Sequence, residues 1–110
     1  MSVTDAFALK DQVAIVTGGG AGIGKGIARL FAAAGAAVAV SDLKADTAEA
    51  VAAQIRAEGG RAVGLACDVT NEEARAALVK GTIEAFGKVS ILVNNAGGGG
   101  PKPFDMPLST

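Results

Sequence analysis

Four short stretches of this chain are apolar at nearly every position: Val13-Ala14-Ile15-Val16, Ala36-Ala37-Val38-Ala39-Val40, Ala62-Val63-Gly64-Leu65-Ala66 and Ile91-Leu92-Val93. A strand with one wet face alternates apolar and polar residues, whereas a strand apolar throughout needs cover on both faces. The segments between these runs are too long for hairpins and long enough for a helix, so the strands run parallel with right-handed crossovers. The expected order is β-α-β-α-β-α-β. The fold class that follows is α/β, a doubly wound parallel sheet with helices on both faces.

The intervening segments carry helical spacing. Ile23, Ile27, Leu30, Phe31 and Ala34 fall on one stripe, and Gly35 ends that helix. A second helix opens at Asp46 with Glu49 in the capping-box position, buries Ala48, Val51, Ala52 and Ile55, and closes at Gly59-Gly60. A third begins at Thr70 with Glu73 in the box position and runs through Leu78, Val79, Ile83 and Phe86 to Gly87. Gly81 inside it costs about 1 kcal/mol against alanine. After Val93 come Asn94-Asn95-Ala96, four glycines (Gly97 to Gly100), Pro101 and Pro103, which read as a loop.

Composition excludes several functions. Ten Lys and Arg stand against eleven Asp and Glu, and all the aromatics are phenylalanines, four in number. Nucleic-acid binding needs clustered cations and stacking rings, so none is expected. The chain has no histidine and one cysteine, Cys67, which leaves no disulfide and no metal site. Cys67 lies in an apolar run and reads as a small buried hydrophobe. No leader pattern opens the chain and no run approaches membrane-spanning length, so the expected compartment is the cytoplasm.

The strongest chemical signal is Thr17-Gly18-Gly19-Gly20-Ala21-Gly22-Ile23-Gly24, between the first strand and the first helix. A helix start presents unpaired N–H groups and partial positive charge, which suit a pyrophosphate, and glycines let the phosphate oxygens come close. The spacing does not match glycines at i, i+2 and i+5. A P-loop is nearly satisfied by Gly19, Gly24 and Lys25, but Gly26 stands where the magnesium-binding hydroxyl belongs. What remains is G-x-x-x-G-x-G, with Gly18, Gly22 and Gly24.

That fingerprint resembles the cofactor turn of the short-chain dehydrogenase/reductase family, and Asn94-Asn95-Ala96-Gly97 resembles its second signature after the fourth strand. The resemblance covers essentially the whole chain. It implies a Rossmann-type fold, with residues 1–110 as an NAD(P)-binding domain ending before the catalytic half. The implied cofactor-binding residues are Gly18, Gly22, Ile23, Gly24, Asp42, Asp68, Val69, Asn94, Ala96 and Gly97. Asp42, after the second strand, suits the adenosine ribose hydroxyls and would repel a 2′-phosphate, so NAD is expected over NADP. Lys44 two residues on works against that preference, and Asp42 also reads as a solvated turn residue. In the family the Asp68-Val69 pair lies along the adenine ring; the alternative role for Asp68 is to help cap the helix opening near Thr70. Ile23 is also explained by core packing. Asn94, Ala96 and Gly97 would hold the central strands and line the nicotinamide ribose.

The loop from Asn94 to Pro107, with Gly20 to Lys25 and Ser41-Asp42, resembles the bacterial hydroxysteroid dehydrogenases of that family, which implies a 7α-hydroxysteroid or bile acid as substrate. The family moves its proton with a tyrosine and a lysine four residues on, helped by a serine and an asparagine. This chain has no tyrosine. Ser2, Ser41, Ser90 and Ser109 match none of those positions, so no residue is assigned as catalytic. Pro107-Leu108-Ser109-Thr110 reads as the approach to another helix, so the chain is expected to be a fragment, inactive alone. The fourth strand would then be an open edge, and the 110-residue polypeptide is expected to be poorly soluble or to associate.

The function expected is hydride transfer between NAD and a secondary alcohol or ketone. Partners would be the dinucleotide and that small molecule, with no nucleic acid and no membrane, and a homo-oligomer such as a tetramer when complete. A non-catalytic dinucleotide-binding module, or an inactive truncated product, is the competing reading.

Overall fold

The computed structural model describes residues 8–95. Its elements are β1 (Val13–Thr17), α1 (Gly22–Ala33), β2 (Ala37–Asp42), α2 (Ala45–Ala57), β3 (Arg61–Ala66), α3 (Glu72–Phe86) and β4 (Ile91–Val93). The four strands form one parallel sheet in the order β3-β2-β1-β4. Ile15 lies opposite Ala39 on one side and Leu92 on the other. The β-α alternation read from the sequence is therefore the alternation observed.

Two cores flank the sheet. On one face Val16, Val38 and Val40 meet Ala28 of α1 and Ala48, Val51, Ala52 and Ile55 of α2. On the other, Ile15 and Ala39 meet Leu78 of α3 with Cys67 and Val69. Every residue of β1 is buried, which is why its sequence shows no polar alternation. Burial also pushes the Cys67 thiol up from its ordinary pKa, with the Asp68 carboxylate adding to the effect, in keeping with an inert hydrophobe.

Small residues set the helix–sheet distance. A Cβ added at Gly64 of β3 would lie 2.5 Å from the backbone nitrogen of Glu49 and 2.6 Å from its Cα, so α2 lies directly on that strand position. Gly64 therefore lets backbone approach backbone.

Three details differ from the sequence reading. The α1 stripe is rotated: Ile23 is 76% and Leu30 53% exposed, while Gly24 and Ala28 are buried, with Ile27 and Phe31 packed against the core. A helix lying this close to a sheet turns its smallest residues inward. Neither capping box forms. The α2 N-cap is Lys44; Asp46 instead accepts from the Thr47 N–H (2.9 Å), and Glu49 pairs with Arg56, which holds its carboxyl below the usual range. At α3 the cap is Asn71, whose Oδ1 accepts from the Ala74 N–H (2.9 Å), and Ile83, expected inside, is 44% exposed. The expected helix ends hold: Gly35, Gly59 and Gly87 have φ of 104°, 91° and 88°.

No helix among the described residues is long and apolar enough to cross a membrane. β4 forms one edge of the sheet, with all three of its residues half-buried.

Two glycine substitutions should move stability in opposite directions. Gly64→Ala should cost about 1–3 kcal/mol by forcing α2 from β3. Gly26→Ala, exposed inside α1 with open space where its Cβ would go, should gain about 0.5–1 kcal/mol. Urea unfolding monitored by circular dichroism reads both, and equal midpoints would contradict the close approach at Gly64.

Candidate functional site

The direction of winding reverses at β1: its neighbour on one side is β2, which follows it in the chain, and on the other is β4. At such a reversal the connections leave the carboxyl ends of adjacent strands toward opposite faces, and a crevice opens between them. The glycine turn follows β1 and Asn94-Asn95 follow β4, so the two signatures meet at that crevice.

The turn is shaped by two left-handed residues and one close approach. Gly18 and Gly22 have φ of 63° and 57°, where a side chain is strained. Gly24, in the first turn of α1, is buried, and a Cβ there would overlap the Gly18 carbonyl oxygen and lie 2.6 Å from Asn95 Nδ2. The helix thus starts against the strand it follows. Its first N–H groups have no intrahelical acceptor; the first helical bond here runs from the Lys25 N–H to the Ala21 carbonyl (3.2 Å). The N-cap, Ala21, supplies no side-chain bond, and the first turn holds no acidic residue. A bare helix start behind an open glycine turn attracts an anion.

Thr17 and Asn95 lock the turn to β4. Thr17 Oγ1 donates to the Val93 carbonyl (3.3 Å) and accepts from the Asn95 N–H (3.0 Å), while Asn95 Nδ2 donates to the Gly18 carbonyl (3.3 Å). The resemblance implies a strand-holding role for Asn94, Ala96 and Gly97; the bonds described between the turn and the end of β4 are made by Asn95. The Asn94 Oδ1 atom is buried without a hydrogen-bond partner among the described residues, as is Ser41 Oγ, beside Thr17 in register. Ala96 and Gly97 lie outside the described residues.

Asp42 stands at the tip of β2. Its Oδ2 accepts from the Gly20 N–H (2.9 Å) and its Oδ1 from the Leu43 N–H (2.8 Å). A carboxylate offers about four lone-pair sites, so each oxygen keeps capacity for a ribose hydroxyl. The Asp42 carbonyl accepts from the Cys67 N–H (2.9 Å), which brings the segment after β3 alongside. There Asp68 is exposed, and its Oδ1 accepts from both the Thr70 hydroxyl (2.6 Å) and the Thr70 N–H (3.0 Å). Those bonds, the hydroxyl first, hold its carboxyl below the ordinary range. Val69 is buried in the core on the α3 face. Asp68 thus shapes a turn ahead of α3 rather than capping its first N–H groups, a task that falls to Asn71.

Gly18, Gly22, Ile23 and Gly24 form one turn, and Asp42 is bonded to it through Gly20; Asp68 and Val69 follow Cys67, which bonds the Asp42 carbonyl, and Asn94 lies between β4 and Asn95, which bonds the turn. Thr17, Gly20 and Asn95 belong with them and were missed as individual residues, although all three are inside the quoted motifs. The Gly20–Asp42 bond has no sequence signal. No cluster of His, Cys, Asp or Glu able to hold a metal lies among the described residues. The arrangement can grip a phosphate bridge and orient a hydroxylated sugar.

Comparison with known proteins agrees with that geometry. The family described as short chain dehydrogenase matches residues 12–108. The 7α-hydroxysteroid dehydrogenase of Escherichia coli strain K12 is 55% identical over 106 residues, 96% of this chain and 42% of that protein. The solved structure of a 7α-hydroxysteroid dehydrogenase complexed with NADH and 7-oxo glycochenodeoxycholic acid superposes with a TM-score of 0.83 at 55% identity, covering 97% of this chain and 42% of that one. A citronellol catabolism dehydrogenase of Pseudomonas aeruginosa PAO1 gives 0.80 at 41% identity, covering 87% and 40%. The chain therefore spans about two fifths of the length of these relatives. With the family's match over most of its length and its two signatures joined at one crevice, the chain belongs to the short-chain dehydrogenases.

Proposed function

We propose that residues 1–110 form the NAD-binding domain of an oxidoreductase that transfers hydride between NAD and a secondary alcohol or ketone, with a 7α-hydroxysteroid or bile acid as the substrate. The observation that carries this reading is the uncapped start of α1 beside a carboxylate, Asp42, held at the rim of the same turn. The N–H groups of Gly22, Ile23 and Gly24 would hold the pyrophosphate, and Asp42 the adenosine ribose. Asp68 and Val69 would border the adenine, and Asn94, Ala96 and Gly97 the nicotinamide ribose. Gly22 supports the fit, because a Cβ there would meet nothing within 4 Å: the space in front of the turn is open. NAD, when bound, supplies the hydride acceptor.

This chain's own residues bind and orient; none of them moves a proton. Hydride transfer needs a group that takes up the alcohol proton near neutral pH, and no tyrosine is present to do so. In this reading the 110 residues bind dinucleotide without turnover, and the proton-moving residues belong to a part of the protein outside them. The substrate assignment rests on the E. coli relative and on the ligand named with the solved neighbour. We place the protein in the cytoplasm and its complete form in a homo-oligomer, a tetramer.

Discrimination between the cofactors follows from charge. A 2′-phosphate within about 4 Å of the Asp42 carboxylate meets a repulsion of about 4 kcal/mol per charge pair at an effective dielectric of about 20. Calorimetry on the chain should show NAD bound more tightly than NADP by about tenfold or more. Asp42→Ala should weaken NAD and narrow that difference. Tighter NADP binding by the unaltered chain would overturn the cofactor assignment, and heat from neither nucleotide would overturn the dinucleotide reading.

Gly24→Ala should weaken NAD by more than about tenfold, because its methyl group meets the Gly18 carbonyl at the base of the turn. Gly26→Ala, two residues along the same helix, should leave NAD binding unchanged. The same calorimetry reads both, and equal effects would separate the turn from the binding.

A further inference from the structure

The tip of β2 is clipped to the glycine turn by two consecutive amides. The Gly19 N–H donates to the Ser41 carbonyl (2.9 Å) and the Gly20 N–H to Asp42 Oδ2 (2.9 Å). Gly20 is not among the residues of positive φ, so an alanine could adopt its backbone. What it could not do is find room. A Cβ at Gly20 would lie 2.6 Å from Asp42 Oδ2 and 3.0 Å from Asp42 Cγ, and would overlap Thr47 Cγ2.

We propose that Gly20 is a positioning residue for cofactor selection, its N–H aiming the Asp42 carboxylate and its missing side chain leaving that carboxylate its place. The proposal rests on the reading of Asp42 as the ribose acceptor. One Asp42 oxygen is fixed by its own neighbour, Leu43, and the other by the phosphate-side turn. The carboxylate's direction is therefore set by the same loop that receives the pyrophosphate. A side chain at position 20 pushes the carboxylate outward, away from the ribose hydroxyls it would accept from and from the 2′-phosphate it would repel. Discrimination then falls while the pyrophosphate amides of α1 stay in place.

The test uses Gly20→Ala, Gly20→Ala with Thr47→Ser, and Asp42→Ala in the 110-residue chain. Thr47→Ser removes the methyl group that a Cβ at 20 would strike, but leaves the conflict with Asp42. By calorimetry, Gly20→Ala should lose about tenfold in NAD affinity while NADP changes by less, so that the ratio collapses toward that of Asp42→Ala. Adding Thr47→Ser should not restore the ratio. Without nucleotide, amide hydrogen exchange at Gly20 should be at least about tenfold faster in Asp42→Ala than in the unaltered chain, the loss of one charge-assisted hydrogen bond. A Gly20→Ala chain that keeps the original NAD-to-NADP ratio overturns this proposal alone, as does recovery of the ratio by Thr47→Ser or unaltered exchange at Gly20 in Asp42→Ala. An unaltered chain that binds neither nucleotide, or prefers NADP, overturns the cofactor reading and this proposal with it.

Discussion

The contact on which the rest depends is the one between the start of α1 and the end of β1. Gly24 sits so near the Gly18 carbonyl and Asn95 that no side chain fits between them. This closeness fixes where the helix begins, and so where its unpaired N–H groups lie. It also requires the left-handed turns at Gly18 and Gly22, since a strand cannot reverse into an adjoining helix over so few residues within ordinary backbone angles. Asn95 then bonds the Gly18 carbonyl that Gly24 crowds, which joins the turn to β4. A single approach of backbone to backbone thus fixes both the crevice and the strand that walls it.

How much of this could be read in the sequence depends on what kind of interaction wrote it. The four strands were legible because a parallel sheet buried on both faces demands short continuous apolar runs, whereas the comparable runs at residues 30–34, 50–53 and 76–79 sit inside longer segments of helical spacing. The α2 stripe of Ala48, Val51, Ala52 and Ile55 was legible because Val51 and Ile55 mark the buried face between its alanines. The α1 stripe was not. Its apolar spacing pointed to Ile23 and Leu30, whereas close packing selected Gly24 and Ala28, and small residues leave a weak apolar signal. The helix starts failed for a different reason. Asp46 and Glu49 have the spacing of a box, but the helix starts earlier, from the Lys44 N-cap, so Asp46 lies inside the first turn and Glu49, past the box position, pairs with Arg56.

At the site the same division holds. Positions whose backbone is constrained, such as Gly18, Gly22 and Gly24, leave glycines that can be counted. Asp42 was visible because a carboxylate at a strand's carboxyl end has a recognisable neighbourhood. Its tie to Gly20 was invisible, because any residue but proline carries the N–H that makes it. Asn94 and Asn95 show the limit most plainly. Adjacent and chemically identical, they have different surroundings: among the described residues Asn95 bonds Thr17 and Gly18, while the Asn94 Oδ1 atom is buried without a hydrogen-bond partner.

The three helix starts at the carboxyl end of the sheet are not equivalent, and the difference has a direction. At α3 the Asn71 side chain occupies the Ala74 N–H, and Glu72 and Glu73 set two negative charges against the positive end of the helix. At α2 Asp46 supplies one. Only α1 has neither a side-chain cap nor an acidic residue in its first turn. Acidic residues in the first turn stabilise a helix by about 0.3–1 kcal/mol each, so their absence leaves α1 that much less stable. Each of the other two starts already carries its own anion, and an incoming phosphate would be repelled there. An incoming phosphate would be favoured at α1 as much by what surrounds the alternatives as by the glycines that open the way. Asp42, one strand aside, extends the same logic: it adds negative charge at the rim, where a sugar hydroxyl can donate to it, without placing that charge in the helix's first turn.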